Sequence, residues 1–196
     1  HLRRVLESAL RATRPGGVVM VADVRDLRHL RRQAEAAASA AGLEGEAWSR
    51  EVERRCRDEE ELMVEPGWFL RAGLPGVGAV QLLRRRGRAT NEMSAWRYDV
   101  LLRVGPPQPL ARATALRWTG LPELERELSR RPERLRCADL PDGHNIPGLP
   151  MEELISWGEA RGYRVELCPA ASGAPEKVDA LLHRADLAWA PLQPPL

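Results

Sequence analysis

Lysine is almost missing from this chain: Lys177 is the only one among 30 basic residues, and the rest are arginine. With alanine abundant as well, this bias reflects GC-rich coding, so the arginine count by itself points to no guanidinium-specific task. The 28 acidic residues leave a net charge of only +2, too weak a field to gather nucleic acid, which is set aside as a partner. Long apolar runs are absent too. Stretches such as Val18-Val19-Met20-Val21-Ala22 fall far short of the roughly 20 residues that span a bilayer, and no signal-peptide pattern opens the chain. The expectation is a cytoplasmic protein with no membrane partner. Cys56, Cys137 and Cys168 are odd in number, far apart and without the paired spacing of a zinc or redox motif, so free thiols are expected. His1, His29, His144 and His183 are scattered, with no spacing that sets two on one helix face, and no metal site is expected. No internal repeat of fixed period is found.

What is present suffices for one sizeable core, or for one domain with an appendage: 196 residues, 43% hydrophobic. Leu2, Val5, Leu6, Ala9 and Leu10 have helical spacing, broken at Pro15-Gly16-Gly17. The apolar run from Val18 to Ala22 predicts a strand covered on both faces. Leu27 to Ala41 reads as a helix by propensity, and a second, charged helix runs from about Ala47 to Met63, stopped by Glu65-Pro66-Gly67. Trp68, Phe69 and Leu70 form an apolar cluster. Val77 to Leu83 and Trp96 to Val104 read as strands that pair in an antiparallel hairpin closing one sheet edge. Pro106, Pro107 and Pro109 mark a boundary, so the expected division is 1–105 and 106–196. Beyond it, helices are expected at Leu121 to Ser129 and Met151 to Arg161, loop from Arg131 to Pro150, and a second strand pair at Tyr163 to Cys168 and Val178 to His183. The two pairs share only a general shape.

The polar carboxyl end of a strand in an open α/β sheet is where ligand chemistry is placed, which makes Asp23 and Arg25 site candidates. The alternative is structural: helix capping by Asp26 beside a surface ion pair. The richest stretch is Thr90 to Leu102, where the polar Asn91-Glu92 turn runs into the strand-like Trp96-Arg97-Tyr98-Asp99-Val100. Arg97 and Tyr98 point to opposite strand faces, so at most one can face a pocket. The acidic run Glu59-Glu60-Glu61 precedes the aromatic pair Trp68-Phe69.

These motifs, in this order, resemble the later part of the S-adenosylmethionine-dependent methyltransferase domain inserted within adenylation domains of nonribosomal peptide synthetases. They comprise Pro-Gly-Gly, the apolar strand ending Asp23-Val24-Arg25, the acidic run, Pro66 with two aromatics, Asn91-Glu92, and Arg97-Tyr98-Asp99-Val100. Looser similarity extends through Arg131-Pro132-Glu133 and Gly162-Tyr163. Met93, Trp96 and Gly67-Trp68 depart from the family's usual residues.

The resemblance implies an α/β fold: the later half of a class I, Rossmann-like sheet ending in an antiparallel strand pair, with an acidic lid helix and an α+β appendage. Gly16 to Arg25 would form its fifth strand, and Val77 to Leu83 and Trp96 to Val104 its last two. It also implies S-adenosylmethionine as cofactor, with Asp23 and Arg25 on the cofactor side and Glu92, Asn91, Glu60 and Glu61 toward the acceptor. Methyl transfer needs an aligned acceptor with a free lone pair, and a nearby carboxylate can take or orient its proton. The implied partners are an adenylation domain and a phosphopantetheinylated carrier protein whose aminoacyl or peptidyl group is methylated, most often on the backbone nitrogen. Arg84, Arg85, Arg86 and Arg88 could meet that carrier, although a basic loop is more often simply solvated. The family's glycine-rich cofactor loop is expected ahead of His1. Side-chain methylation and a noncatalytic docking fragment are the alternatives.

Overall fold

The computed structural model describes residues 1–87, 92–143 and 151–192, with only the backbone of 92 and 93. Helix α1 (Leu2–Ala12) buries Leu6 and Leu10 along one stripe. Thr13 closes it, its hydroxyl donating to the Ala9 carbonyl at 2.8 Å. Gly16 then turns the chain at φ +83, a left-handed conformation that costs glycine no Cβ clash. Its N–H donates to the Val104 carbonyl, and Val104 N–H donates to Gly17. The Pro-Gly-Gly break thus delivers the chain into β1 (Val18–Asp26) with its pairing already set.

After β1 come a short 3-10 turn (Leu27–His29), α2 (Leu30–Ala40), α3 (Gly45–Arg57), β2 (Met63–Val64), α4 (Pro66–Arg71), β3 (Val77–Arg84), α5 (Glu92–Ala95) and β4 (Arg97–Val104). The first sheet has the order β2-β1-β4-β3, with β2 parallel to β1 and β4 antiparallel to both its neighbours. The second half holds β5 (Thr114–Arg117), α6 (Leu121–Ser129), β6 (Arg134–Pro141), α7 (Met151–Glu159), β7 (Tyr163–Pro169) and β8 (Lys177–Arg184). Its sheet has the order β5-β6-β8-β7, with β5 parallel to β6 and β8 antiparallel to both its neighbours.

The two halves therefore repeat a plan. A helix (α1 or α6) leads into a central strand, a later helix (α4 or α7) leads into an edge strand, and the last strand enters antiparallel between the two. The central strands share a further device. Each carries a register shift, and within each an aspartate sits at positive φ: Asp23 at +64 and Asp139 at +61. In each, the strained residue's N–H donates to an aspartate on the antiparallel neighbour, Asp99 or Asp179, at 2.7 and 3.0 Å. The sequences agree there, Ala22-Asp23-Val24-Arg25-Asp26 against Ala138-Asp139-Leu140-Pro141-Asp142, and Asp99-Val100-Leu101-Leu102 against Asp179-Ala180-Leu181-Leu182. The paired aspartates lie 76 residues apart in the first half and 40 in the second, which is why no fixed period reveals the repeat.

Each half has its own core. Leu6, Leu10, Phe69, Tyr98, Val100 and Leu102 bring α1 and α4 onto one face of the first sheet. Leu124, Leu128, Leu154, Ile155, Val178, Ala180 and Leu182 bring α6 and α7 onto the second. Each fully buried aliphatic side chain contributes about 1.5–3 kcal/mol. The halves meet where β3 lies beside β7: Gln81 Nε2 donates to Glu166 at 2.8 Å, and the Arg103 guanidinium stacks 3.9 Å over the Trp189 ring.

Four expectations need correction. The apolar run of β1 is not covered on both faces, because Val18 and Met20 are 43% and 58% exposed and only Val19 and Val21 join the core. Helix α3 ends at Arg57, so Glu59 to Glu61 form a loop rather than a lid helix. Leu70 leaves the aromatic cluster for solvent, while Trp68 and Phe69 pack edge to face at 5.0 Å. Within the expected loop after Arg131, Arg134–Pro141 form β6, an interior strand whose Leu135, Cys137 and Leu140 face the core and whose arginines pair with carboxylates.

Candidate functional site

The bulge in β1 sets the site's geometry. Two residues, Ala22 and Asp23, stand against the single Asp99 between the pairs Val21↔Val100 and Val24↔Tyr98, a bulge of one extra residue that turns Asp23 out of the ladder. The freed Asp23 N–H is satisfied by Asp99. Asp23 Oδ2 accepts from Arg97 Nη1 at 2.7 Å, and Oδ1 accepts from Arg85. Arg97 shares its strand face with Asp99, whereas Tyr98 is fully buried and its hydroxyl donates to the Val64 carbonyl at 2.9 Å. Arg97 is therefore the residue of that pair that faces the rim. Burial pushes the Tyr98 phenol well above its ordinary range, so it is an anchor between β4 and β2.

Two residues on, Arg25 holds the acidic loop. Its guanidinium grips Glu59 with two bonds, at 2.9 and 3.0 Å, and reaches Glu61 at 2.8 Å and the Gln33 side-chain carbonyl from α2. Burial works against its charge, but the bonds and charges of Glu59 and Glu61 raise the Arg25 pKa above the usual arginine value. The Arg25 hydrogen bond, joined by the Glu61 N–H, holds Glu59 below the usual carboxylate range. Glu61 also lies 3.8 Å from Arg97. The rim is thus a chain of alternating charge: Glu59, Arg25, Glu61, Arg97, Asp23, Arg85.

A cavity of about 620 Å³ opens beside it, lined by Arg25, Gln33, Leu30, Arg54, Glu59 and Trp96, among others. A smaller one of about 120 Å³ touches Arg25, Gln33, Glu61, Trp96 and Arg97. Gln33 Nε2 is buried with no acceptor among the described residues.

The structure therefore brings Asp23, Arg25 and Glu61 together. Glu60 is exposed to solvent. Asn91 lies outside the described residues, and so does the Glu92 side chain; the Glu92 backbone opens α5, directly ahead of Arg97 at the same end of the sheet as Asp23. Sequence reasoning misses Gln33, Glu59, Trp96 and Asp99; it leaves Arg97 as the alternative to Tyr98 and places Arg85 only in the basic loop. The bulge that gathers several of them has no signature in a single sequence, although the pairing of Arg97 and Asp99 around a buried tyrosine is a strand alternation that could have pointed to them.

Away from the rim, Asp26 caps the 3-10 turn by accepting from Arg28 N–H at 3.0 Å and pairs with the Arg28 guanidinium. Burial pushes the Cys137 and Cys168 thiols up to about 12, so neither is a nucleophile at neutral pH. Among the described residues, no three His, Cys, Asp or Glu side chains gather as a metal site. No helix among them is long and apolar enough to cross a membrane.

The molecule is thus an α/β protein of two related mixed sheets with a charged rim on the first. No family model matches the chain. Several of the proteins it is similar to are named as nonribosomal peptide or depsipeptide synthetases. It is 32% identical over 170 residues to CymA, a probable nonribosomal peptide synthetase of Salinispora arenicola, a match covering 84% of this chain and 2% of the relative. It is 32% identical over 110 residues to chondramide synthase cmdD of Chondromyces crocatus, covering 54% of the chain and 3% of the relative. It is 33% identical over 109 residues to cyclosporin synthetase simA of Tolypocladium inflatum, covering 54% and 1%. The chain spans only a few per cent of these relatives' length.

Proposed function

We propose that this chain is part of a methyltransferase module of a nonribosomal peptide synthetase, using S-adenosylmethionine to methylate an aminoacyl or peptidyl group tethered to a carrier protein, most often at the backbone nitrogen. The observation that carries this reading is the rim. The carboxyl ends of β1 and β3 and the amino end of β4 meet at one end of the sheet, beside a cavity sized for a small-molecule group. The homologues supply the synthetase context.

When bound, S-adenosylmethionine supplies an electrophilic methyl group on a sulfonium. One residue here fits such a group: the aromatic Trp96, which lines that cavity with Arg25 and Gln33. Asp23 and Arg25 hold the rim together through their ion pairs. The alternating charges keep all three arginines and all three carboxylates fixed without reorganisation, as a preorganised site requires. Asn91 and Glu92, at the start of the segment that becomes β4, are assigned to the acceptor: Glu92 to take or orient its proton and Asn91 to hold its carbonyl. The adenylation domain and the phosphopantetheinylated carrier are the partners this reading requires.

The test is transfer of labelled methyl from S-adenosylmethionine to an aminoacyl-loaded carrier by the intact module. Trp96→Ala should lower turnover by on the order of tenfold or more through lost positioning. A module that transfers no methyl to any loaded carrier overturns the reading. One observation favours the noncatalytic alternative for this chain alone: the rim charges already neutralise one another. Calorimetric titration of the chain with S-adenosylmethionine separates the two, since measurable affinity excludes a purely structural part.

A further inference from the structure

We infer that the second half of the chain positions the rim of the first, with Asp142 and Glu152 bracing the connection between β3 and β4 so that Trp96 and Arg97 face the cleft. Past Arg84 the chain leaves β3, and side chains hold it there. The Arg84 guanidinium donates to the carbonyls of Ala95 and Arg97, at 2.5 and 2.8 Å, on either side of Trp96. The same group pairs with Asp142, and both side chains are almost wholly buried, at 6% and 1% exposure. A charge buried under the rim is thus balanced by a carboxylate from the other half of the chain. Farther along the connection, Glu152 in the first turn of α7 accepts from Arg86 Nη2 at 2.8 Å and from the Gly87 N–H at 3.0 Å.

The internal repeat shows that this is a specialised use. Asp26, the counterpart of Asp142, stays within its own half, where it caps the turn after β1 and pairs with Arg28. Asp142 occupies the same place after β6 but reaches across to Arg84. Holding the halves together does not require it, because Gln81 with Glu166 and Arg103 with Trp189 already join them, and each half has its own core. What Asp142 and Glu152 add is the path of the chain on both sides of the connection.

Hydrogen exchange resolved by peptide on this chain tests the brace without reference to activity. In Asp142→Asn, amides from 92 to 99 should exchange faster by on the order of tenfold, while those of β6 and β8 keep their rates. Glu152→Gln, at a partly exposed site that folding tolerates, should speed exchange around 85 to 87 alone. Unchanged rates in both variants overturn the inference, and so does an equal rise in every peptide, which would mark Asp142 as a general stabiliser. The activity arm rests on the methyl-transfer reading: in the intact module Asp142→Asn should lower kcat/KM for S-adenosylmethionine at least fivefold. Local exchange effects with no methyl transfer even by the unmodified module would sink that reading and leave the brace standing, whereas transfer at full rate in Asp142→Asn would sink the brace.

Discussion

The two sheets of this protein solve the same backbone problem and spend the result differently. In both, a bulge throws an aspartate into left-handed geometry, and an aspartate from the inserted antiparallel strand takes up the stranded N–H. In the first sheet the bulged Asp23 is half-buried and bridged by two arginines on an open rim. In the second, the bulged Asp139 accepts from the Ser172 hydroxyl at 2.6 Å, and the supporting Asp179 is sealed at 1% exposure against Arg136. Asp179 also accepts from the Ala171 N–H, which ties the chain after β7 to the supporting aspartate. The same scaffold strings its charges along a rim in one copy and buries the supporting aspartate in the other.

The largest effects should come from the buried ion pairs that tie this contrast down. Arg84→Ala leaves the Asp142 carboxylate buried without its guanidinium, and Arg136→Ala does the same to Asp179; each should cost about 3–5 kcal/mol in denaturant unfolding. The two differ in reach. Arg136→Ala should spare the first sheet, as peptide-resolved exchange would report, whereas Arg84→Ala should loosen the β3–β4 connection as well. Equal, global loosening by both would mean that the halves are not distinct units. Replacing Arg84 and Asp142 together by Met and Leu should recover most of the stability, because the cost lies in the orphaned charge and not in the missing pair.

Next in size is a pH effect that the halves share. His29 and His183 are each about 1% exposed, and burial, aided by neighbouring arginines, lowers both to a pKa of about 4. The unfolded chain binds these protons near pH 6.5 and the folded chain does not. The stability the neutral rings contribute is therefore complete above about pH 6.5 and is lost as pH falls toward 4, at up to about 3 kcal/mol for each histidine. Glu59, whose pKa is depressed by Arg25, acts in the same direction at the acid end of that window. Urea midpoints measured from pH 7 to pH 4 should fall steeply, and His183→Leu should remove about one proton's worth of slope. A flat profile would show that both rings stay solvated.

Much of this was readable in the residues. The Pro-Gly-Gly break, the three longer strands of the first sheet, the β7 and β8 pair, and Asp23 and Arg25 as neighbours at a strand end all follow from periodicity and turn chemistry. Strand β6 was hidden because Arg134 and Arg136 give it the polarity of a loop, and only the buried Asp179 explains how an arginine lies inside a sheet. The acidic loop was mistaken for helix because its residues suit a helix equally well, and the grip of Arg25 that holds it is a contact between distant segments. The repeat escaped for a related reason: its matching residues are few, and the insert carrying α2 and α3 shifts their spacing.

The smallest effect isolates what the bulged aspartates themselves do. Glycine adopts φ near +60 freely, so Asp23→Gly and Asp139→Gly each relieve strain on the order of 1 kcal/mol, while the greater freedom of glycine in the unfolded chain costs about 0.5–1 kcal/mol. These backbone terms nearly cancel and are the same at both sites. What separates the variants is the side chain alone: two arginine partners for Asp23, one hydroxyl and a distant, exposed Arg117 for Asp139. Asp139→Gly should therefore stay within about 0.5 kcal/mol of the unmodified chain, and Asp23→Gly should fall below it by about 1 kcal/mol, the upper range for partly exposed pairs. The gap should shrink in high salt, because screening acts on Asp23's pairs and not on a neutral hydroxyl. If Asp139→Gly proved the more damaging, the second bulge would be the one under electrostatic load, and the division between a charged rim and a bracing copy would have to be reversed.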